Sequence, residues 1–193
     1  MIRLFVALRP PADIRDQLLD VMDAVAGARW QDDEQLHLTL RFIGEVERPV
    51  AEDIAEALSR IRAPAPVIAL DGVGQFAKAG RANALWVGVH PRDALAALHR
   101  KVDQALVHAG LPPERRAYLP HITVARLPRS IGQSPEITGW IARHAGLRTP
   151  PFAIGHLTLY QSHLDRDGAR YEPVARWAFD GAPGTRDALT GSQ

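Results

Sequence analysis

The sequence predicts a two-lobed fold of strands and helices around a shared cleft, and three observations carry that expectation. LWVGVHP at residues 85 to 91 lies over LFVALRP at residues 4 to 10, with Leu, Val and Pro matched and an aromatic in second place. Each stretch is followed by a helical pattern, a loop and a strand-like His-x-Thr segment, HLTL at residues 37 to 40 and HITV at residues 121 to 124. At 193 residues and 46% hydrophobic, the chain can bury a core in one body or in two small lobes that share a cleft.

The elements follow in order. RLFVAL is a short apolar run closed by Pro10-Pro11, which predicts a buried strand with proline at the entry of the next helix. Ile14, Leu18, Met22 and Val25 recur at helical spacing, and Gly27 ends that helix. In HLTLRFI, alternation puts His37, Thr39 and Arg41 on one face and Leu38, Leu40 and Phe42 on the other. A second amphipathic helix shows Val50, Ile54, Leu58 and Ile61, and prolines 64 and 66 separate it from the strand PVIALDGVGQF and the glycine-rich bend FAKAGRANA. After the repeated strand comes a helix with Leu95, Leu98, Val102 and Leu106 on one side, ended by Gly110, then LPPERRAYLP and HITVAR. A Pro/Gly-punctuated helix near residues 135 to 146, the strand PFAIGHLTLYQS, a turn at DRDG and a strand near YEPVARWAF complete a domain over residues 1 to 180. Residues 181 to 193 lack an apolar pattern and are expected to form a frayed tail.

Charge and composition exclude several classes. The chain carries 23 Lys+Arg against 22 Asp+Glu, so it lacks the strongly basic surface of a nucleic-acid coat protein, although a local basic cleft is compatible. With no cysteine there is no disulfide, Cys-ligated zinc or thiol catalysis. The apolar run at the start is too short for a signal or a span, so a cytoplasmic protein with no membrane partner is expected.

Chance placement of eight His and seven Thr gives roughly 0.3 His-x-Thr triplets, and the chain has three, the last being HLTL at residues 156 to 159. One copy alone is more often a rim histidine hydrogen-bonded on a strand; a pair at equivalent places in two repeated halves favours chemistry. Histidine titrates near pH 7, so one imidazole can be a neutral base while its mate is a charged acid. A threonine two residues along faces the same way, and its hydroxyl can donate to a phosphate oxygen. Arginine adds a planar phosphate partner: Arg41 shares the parity of His37, whereas Arg126 has the wrong parity for a regular strand and needs a bulge or a strand end. No HExxH and no carboxylate cluster accompany these histidines, so no metal or other cofactor is expected. Tyr118, Phe42 and Tyr160 are near enough in sequence to stack a base, though isolated aromatics are more often core.

Taken together, RLFVAL, RW, HLTLRFIGEV, LDGVGQF, LWVGV, GLPPERRAYLPHITVAR, LYQSHL and RYEP resemble the 2H phosphoesterases, and within them the RNA 2′,3′-cyclic phosphodiesterases once called 2′-5′ RNA ligases. The resemblance runs to about residue 179 and implies a bilobal α+β fold whose antiparallel sheets meet at a cleft holding both motifs. It implies metal-free hydrolysis of the 2′,3′-cyclic phosphate at an RNA 3′ end to a 2′-phosphate, with tRNA halves among the RNA partners. Carried over by position, the resemblance implies that His37 is the proton donor and His121 the proton acceptor, with Thr39 and Thr123 beside them and Arg126 matching the arginine after the second motif; the sequence itself does not order the two histidines. Tyr160 and Ser162 are weaker candidates for substrate contacts, His156 and Thr158 are expected to be structural or peripheral, and a monomer is expected. A non-catalytic binder of phosphorylated RNA ends and an enzyme acting on small cyclic nucleotides are the alternatives.

Overall fold

A computed structural model describes residues 1–165 and 168–182, so two residues of the expected DRDG turn and the expected tail from residue 183 on lie outside the described residues. The strands are β1 (Ile2–Leu8), β2 (Arg29–Trp30), β3 (Leu38–Val46), β4 (Val67–Lys78), β5 (Arg81–His90), β6 (His121–Arg126), β7 (Phe152–Ala153), β8 (His156–Asp165) and β9 (Gly168–Ala178). The helices are α1 (Ala12–Asp20), α2 (Arg48–Ser59), α3 (Arg92–His108) and α4 (Pro135–His144). The fold is α+β: an antiparallel sheet in the order β7-β4-β5-β6-β3-β1-β8-β9, with β2 paired to β6. That order sets four strands on each side of the β3–β6 seam, where the lobes meet through the single pair Leu38↔Ile122.

Strand parity separates two environments. Leu4, Val6 and Leu8 face the main core together with the apolar stripes of all four helices, including Ile14, Ile54, Val102 and Trp140. Phe5, Ala7 and Tyr160 face the other way and form a small cluster with Tyr171. Among the described residues, no helix is long and apolar enough to cross a membrane.

Several sequence expectations change. The first helix stops at Asp20 rather than running to Gly27. Trp140 Nε1 donates to the carbonyl of Val21 at 2.7 Å and the Ala26 amide donates to Glu136, so α4 captures backbone groups that another helical turn would need. The bend FAKAGRANA is a hairpin: β4 runs on to Lys78, and Ala79 and Gly80, both at positive φ, make the two-residue turn. The expected strand PFAIGHLTLYQS is broken in two because it crosses between lobes. Phe152-Ala153 pairs with β4, whereas β8 pairs with β1. Gly181 and Ala182, the first residues of the expected tail, are described, and Ala182 is buried.

The lobes are therefore not the two halves of the chain. One contains β1, β3, β8 and β9, the other β4 to β7, and the chain returns to the first lobe at its end. The repeat is also two residues out of step at its first strand. Ala7 pairs with Thr39 while Trp86 pairs with Thr123, although the sequence alignment sets Ala7 over Gly88. A two-residue slip keeps every side chain on its face.

Candidate active site

The seam puts both motifs on one surface. Leu38 lies across from Ile122, so the same antiparallel count sets His37 beside Thr123 and Thr39 beside His121. All four line a cleft of about 620 Å³, of a size suited to a small ligand, with Arg126, Ser162, Arg3, Gln31, Phe42, Phe76, Arg116 and Tyr171 among its other walls.

Each histidine is fixed in the same way. His37 Nδ1 donates to the Gln35 carbonyl at 2.7 Å, and His121 Nδ1 donates to the Leu119 carbonyl at 2.7 Å. A carbonyl only accepts, so Nδ1 carries the hydrogen and Nε2 is left without a protein partner, a bare acceptor when the ring is neutral and a donor when it is charged. Each ring also stands edge-on to an aromatic: Tyr171 beside His37 at 5.1 Å and 87°, Phe76 beside His121 at 4.7 Å and 83°.

These walls make the charged form expensive. Burial pushes the His37 imidazole down to about 4, with the positive charge of Arg126, His121 and Arg9 adding to the effect and the Gln35 carbonyl opposing it. Burial likewise lowers His121, again opposed by its carbonyl partner and assisted by Arg126. Burial thus favours the neutral form of both rings in the free protein. An anion between them would screen Arg126 and favour a proton on either ring.

Arg126 reaches the cleft through a bulge. Thr123 pairs with Trp86 but Ala125 with Leu85, so Val124 and Ala125 are buried in succession and Arg126 returns to the face of His121. Its side chain has no hydrogen bond or ion pair among the described residues, which leaves its guanidinium free for a ligand.

The same irregularity in β3 overturns the expectation for Arg41. Thr39 pairs with Ala7 but Arg41 with Val6, so the bulge at Leu40 rotates Arg41 away from the cleft and brings Phe42 onto it. Arg41, 9% exposed, instead donates to Asp103 at 2.8 Å, to Glu114 at 3.3 Å and to the Pro112 carbonyl at 2.6 Å. It braces the loop that leads to His121.

The weaker candidates divide. Ser162 lines the cleft. Tyr160, 4% exposed, lies behind it, stacked on Phe5 at 5.2 Å, and the expected substrate contact is not available to it. Tyr118 stacks on His99 at 4.2 Å and lines a side hollow that shares Thr39, Phe42, Phe76 and His121 with the cleft. Sequence reasoning missed Tyr171 and Arg3 as walls. The parity of Arg3 with Phe5 was readable; Tyr171 lies far away in sequence and reaches Ser162 only by β8–β9 pairing.

Trp86 supports His121 from behind. Its ring lies 6.3 Å from that imidazole and 5.6 Å from Phe76, over the backbone of Gly74, where a Cβ would come within 2.3 Å of the indole.

Fold and cleft together define a class: α+β proteins in which pseudo-equivalent lobes present two His-x-Thr strands to one hollow. The chain belongs to the 2′-5′ RNA ligase superfamily, whose pattern matches residues 9–166. A relative from Aeropyrum pernix named RNA 2′,3′-cyclic phosphodiesterase is 34% identical over 144 residues, 74% of this chain and 81% of its own. One of the same name from Escherichia coli is 30% identical over 182 residues, 92% of this chain and 96% of its own. A solved structure of E. coli LigT complexed with 3′-AMP superposes with a TM-score of 0.72 at 28% identity, covering 93% of this chain and 98% of that one.

Proposed function

We propose that the protein hydrolyses the 2′,3′-cyclic phosphate at an RNA 3′ end to a 2′-phosphate, without a metal, by two-histidine acid–base catalysis. Cyclic-phosphate hydrolysis is the activity for which its relatives are named. The observation that carries the mechanism is the matched pair of Nδ1–carbonyl hydrogen bonds, which free both Nε2 atoms within one cleft that also holds Arg126.

The diester brings one negative charge to a site where two neutral imidazoles face an unpaired guanidinium. Arg126 takes the non-bridging oxygens, and the Thr39 and Thr123 hydroxyls donate to them as charge builds at phosphorus. His121 Nε2 accepts a proton from the attacking water, the new P–O bond forms opposite the 3′ oxygen, and His37 Nε2, protonated in the complex, gives its proton to that oxygen as its bond to phosphorus breaks. One ring gains the proton the other loses, so exchange with water resets the pair. The two rings are held so alike that their order rests on the family resemblance.

The deciding experiment supplies an oligonucleotide ending in a 2′,3′-cyclic phosphate, with and without EDTA, and identifies the product isomer. A 2′-phosphate, undiminished turnover in EDTA, and a fall in kcat of at least about 10²-fold in His37→Ala and in His121→Ala are expected. A 3′-phosphate would reverse the leaving group, loss of turnover in EDTA would overturn the metal-free route, and tight binding without turnover would make the protein a binder of RNA ends.

A further inference from the structure

The third His-x-Thr copy lies in register with the first. Thr39, Ala7 and Thr158 are direct neighbours across β3, β1 and β8, and Arg176 of β9 continues the row. Directly paired residues share a face, so Thr158 and Arg176 lie on the cleft side of the sheet, with Thr158 about 10 Å from Thr39 at two strand spacings. Here the surface dips into a second hollow, of about 210 Å³, lined by Arg9, Pro10, Arg15, Gly155, His156, Thr158 and Arg176.

Its donors are only partly used. Arg15 gives Nε to Asp33 and Nη1 to the Pro10 carbonyl, which leaves Nη2, and Arg9 gives both terminal nitrogens to Asp33 and Glu34, which leaves Nε. The side chains of Arg176 and His156 have no hydrogen bond or ion pair among the described residues. Thr158 is the most buried polar member: it is 1% exposed and lines the hollow, so its hydroxyl is held at the floor rather than at the rim. A threonine hydroxyl can both donate and accept, so it can bond an oxygen that enters the hollow. The lining carries three guanidinium groups and no carboxylate, and the Asp33 and Glu34 carboxylates that hold Arg9 and Arg15 keep those two side chains in place.

We propose that the hollow formed by Arg9, Arg15, His156, Thr158 and Arg176 is a second anion site, separate from the catalytic cleft, that takes a phosphate group. The Thr158 hydroxyl and the spare N–H groups of Arg9 and Arg15 bond its oxygens from below, and Arg176 closes over it. The phosphate is either free or a distal phosphate of the RNA whose cyclic end is in the cleft; the second source rests on the proposed function.

The test uses the full chain, with Arg176→Ala and Thr158→Val, an exposed position and a near-isosteric change, each checked for an unaltered Tm. Inorganic phosphate is titrated by calorimetry, and kcat and KM are measured for a cyclic mononucleotide and for a cyclic-ended octanucleotide. Each variant is expected to weaken phosphate binding about tenfold, the loss of one hydrogen bond to a charged group, while turnover of the mononucleotide is unchanged. A KM that also rises for the octanucleotide alone assigns the hollow to the RNA chain; an unchanged KM for both assigns it to free phosphate. Wild-type phosphate binding in both variants, with no change in either KM, overturns the site. If no substrate turns over, the proposed function fails, but the phosphate titration still decides the hollow.

Discussion

Arg41 and Arg126 stand four and five residues after their histidines, and one step of the chain decides their fates. Arg126 is unpaired in the cleft, while Arg41 is spent on Asp103, Glu114 and Pro112. Replacing each by alanine should therefore separate function from stability. Arg126→Ala is expected to lower kcat/KM by about 10²-fold, the loss of a charge-assisted contact to phosphate, and to leave the Tm nearly unchanged. Arg41→Ala leaves the half-buried carboxylate of Asp103 without its cationic partner, while Glu114 keeps Arg116, and is expected to cost about 3 kcal/mol of stability in denaturant unfolding. Equal losses of Tm in the two variants would contradict this division.

At the scale of elements, the bulges are the working feature. They fall at Leu40 and Val124, each three residues after its histidine, and both lobes thereby place the fifth residue after the histidine, Phe42 or Arg126, on the cleft face. The lobes are equivalent in backbone and different in chemistry: one wall offers a ring that is 51% exposed, the other a charge. Behind the second wall, Trp86 fits only because its neighbour on β4 is glycine. Gly74→Ala drives a methyl group into the indole and should destabilise the fold by about 1–3 kcal/mol. It should also lower kcat through displaced His121, which a cyclic-phosphate assay on the still-folded variant would detect. Gly88 likewise admits no Cβ, which would lie 2.5 Å from the Asp71 carbonyl.

For the whole molecule, the cleft carries a cost in acid. The unfolded chain binds a proton on His37 near pH 6.5, whereas the folded protein resists it down to about 4. The unfolded state therefore holds more protons between those values, and folding stability falls as pH drops from about 6.5 to about 4, then levels as far as this group is concerned. The Tm of the free wild type should decline across that window more steeply than that of His37→Gln; parallel curves would show that the imidazole is not desolvated. Bound anion should reduce the difference by favouring the proton in the folded state.

Much of this was legible in the sequence, because periodicity reports which side of an element is buried. Most of the strands, the four helices and the two His-x-Thr strand segments follow from local pattern, and His37, Thr39, His121 and Thr123 do share one cleft. What local pattern cannot carry is the register between distant strands. A bulge changes parity without any signature in its own residues, so Arg41 and Phe42 exchanged faces. The lobe exchange of β4 and β8 is set by pairing with partners dozens of residues away, and only that pairing put Tyr171 beside His37 and the third His-x-Thr copy in register with the first. The chemistry of the histidines was written in residue type and spacing; which charges surround them was decided by long-range hydrogen bonding, where one residue of slip turns a side chain from one face of a sheet to the other.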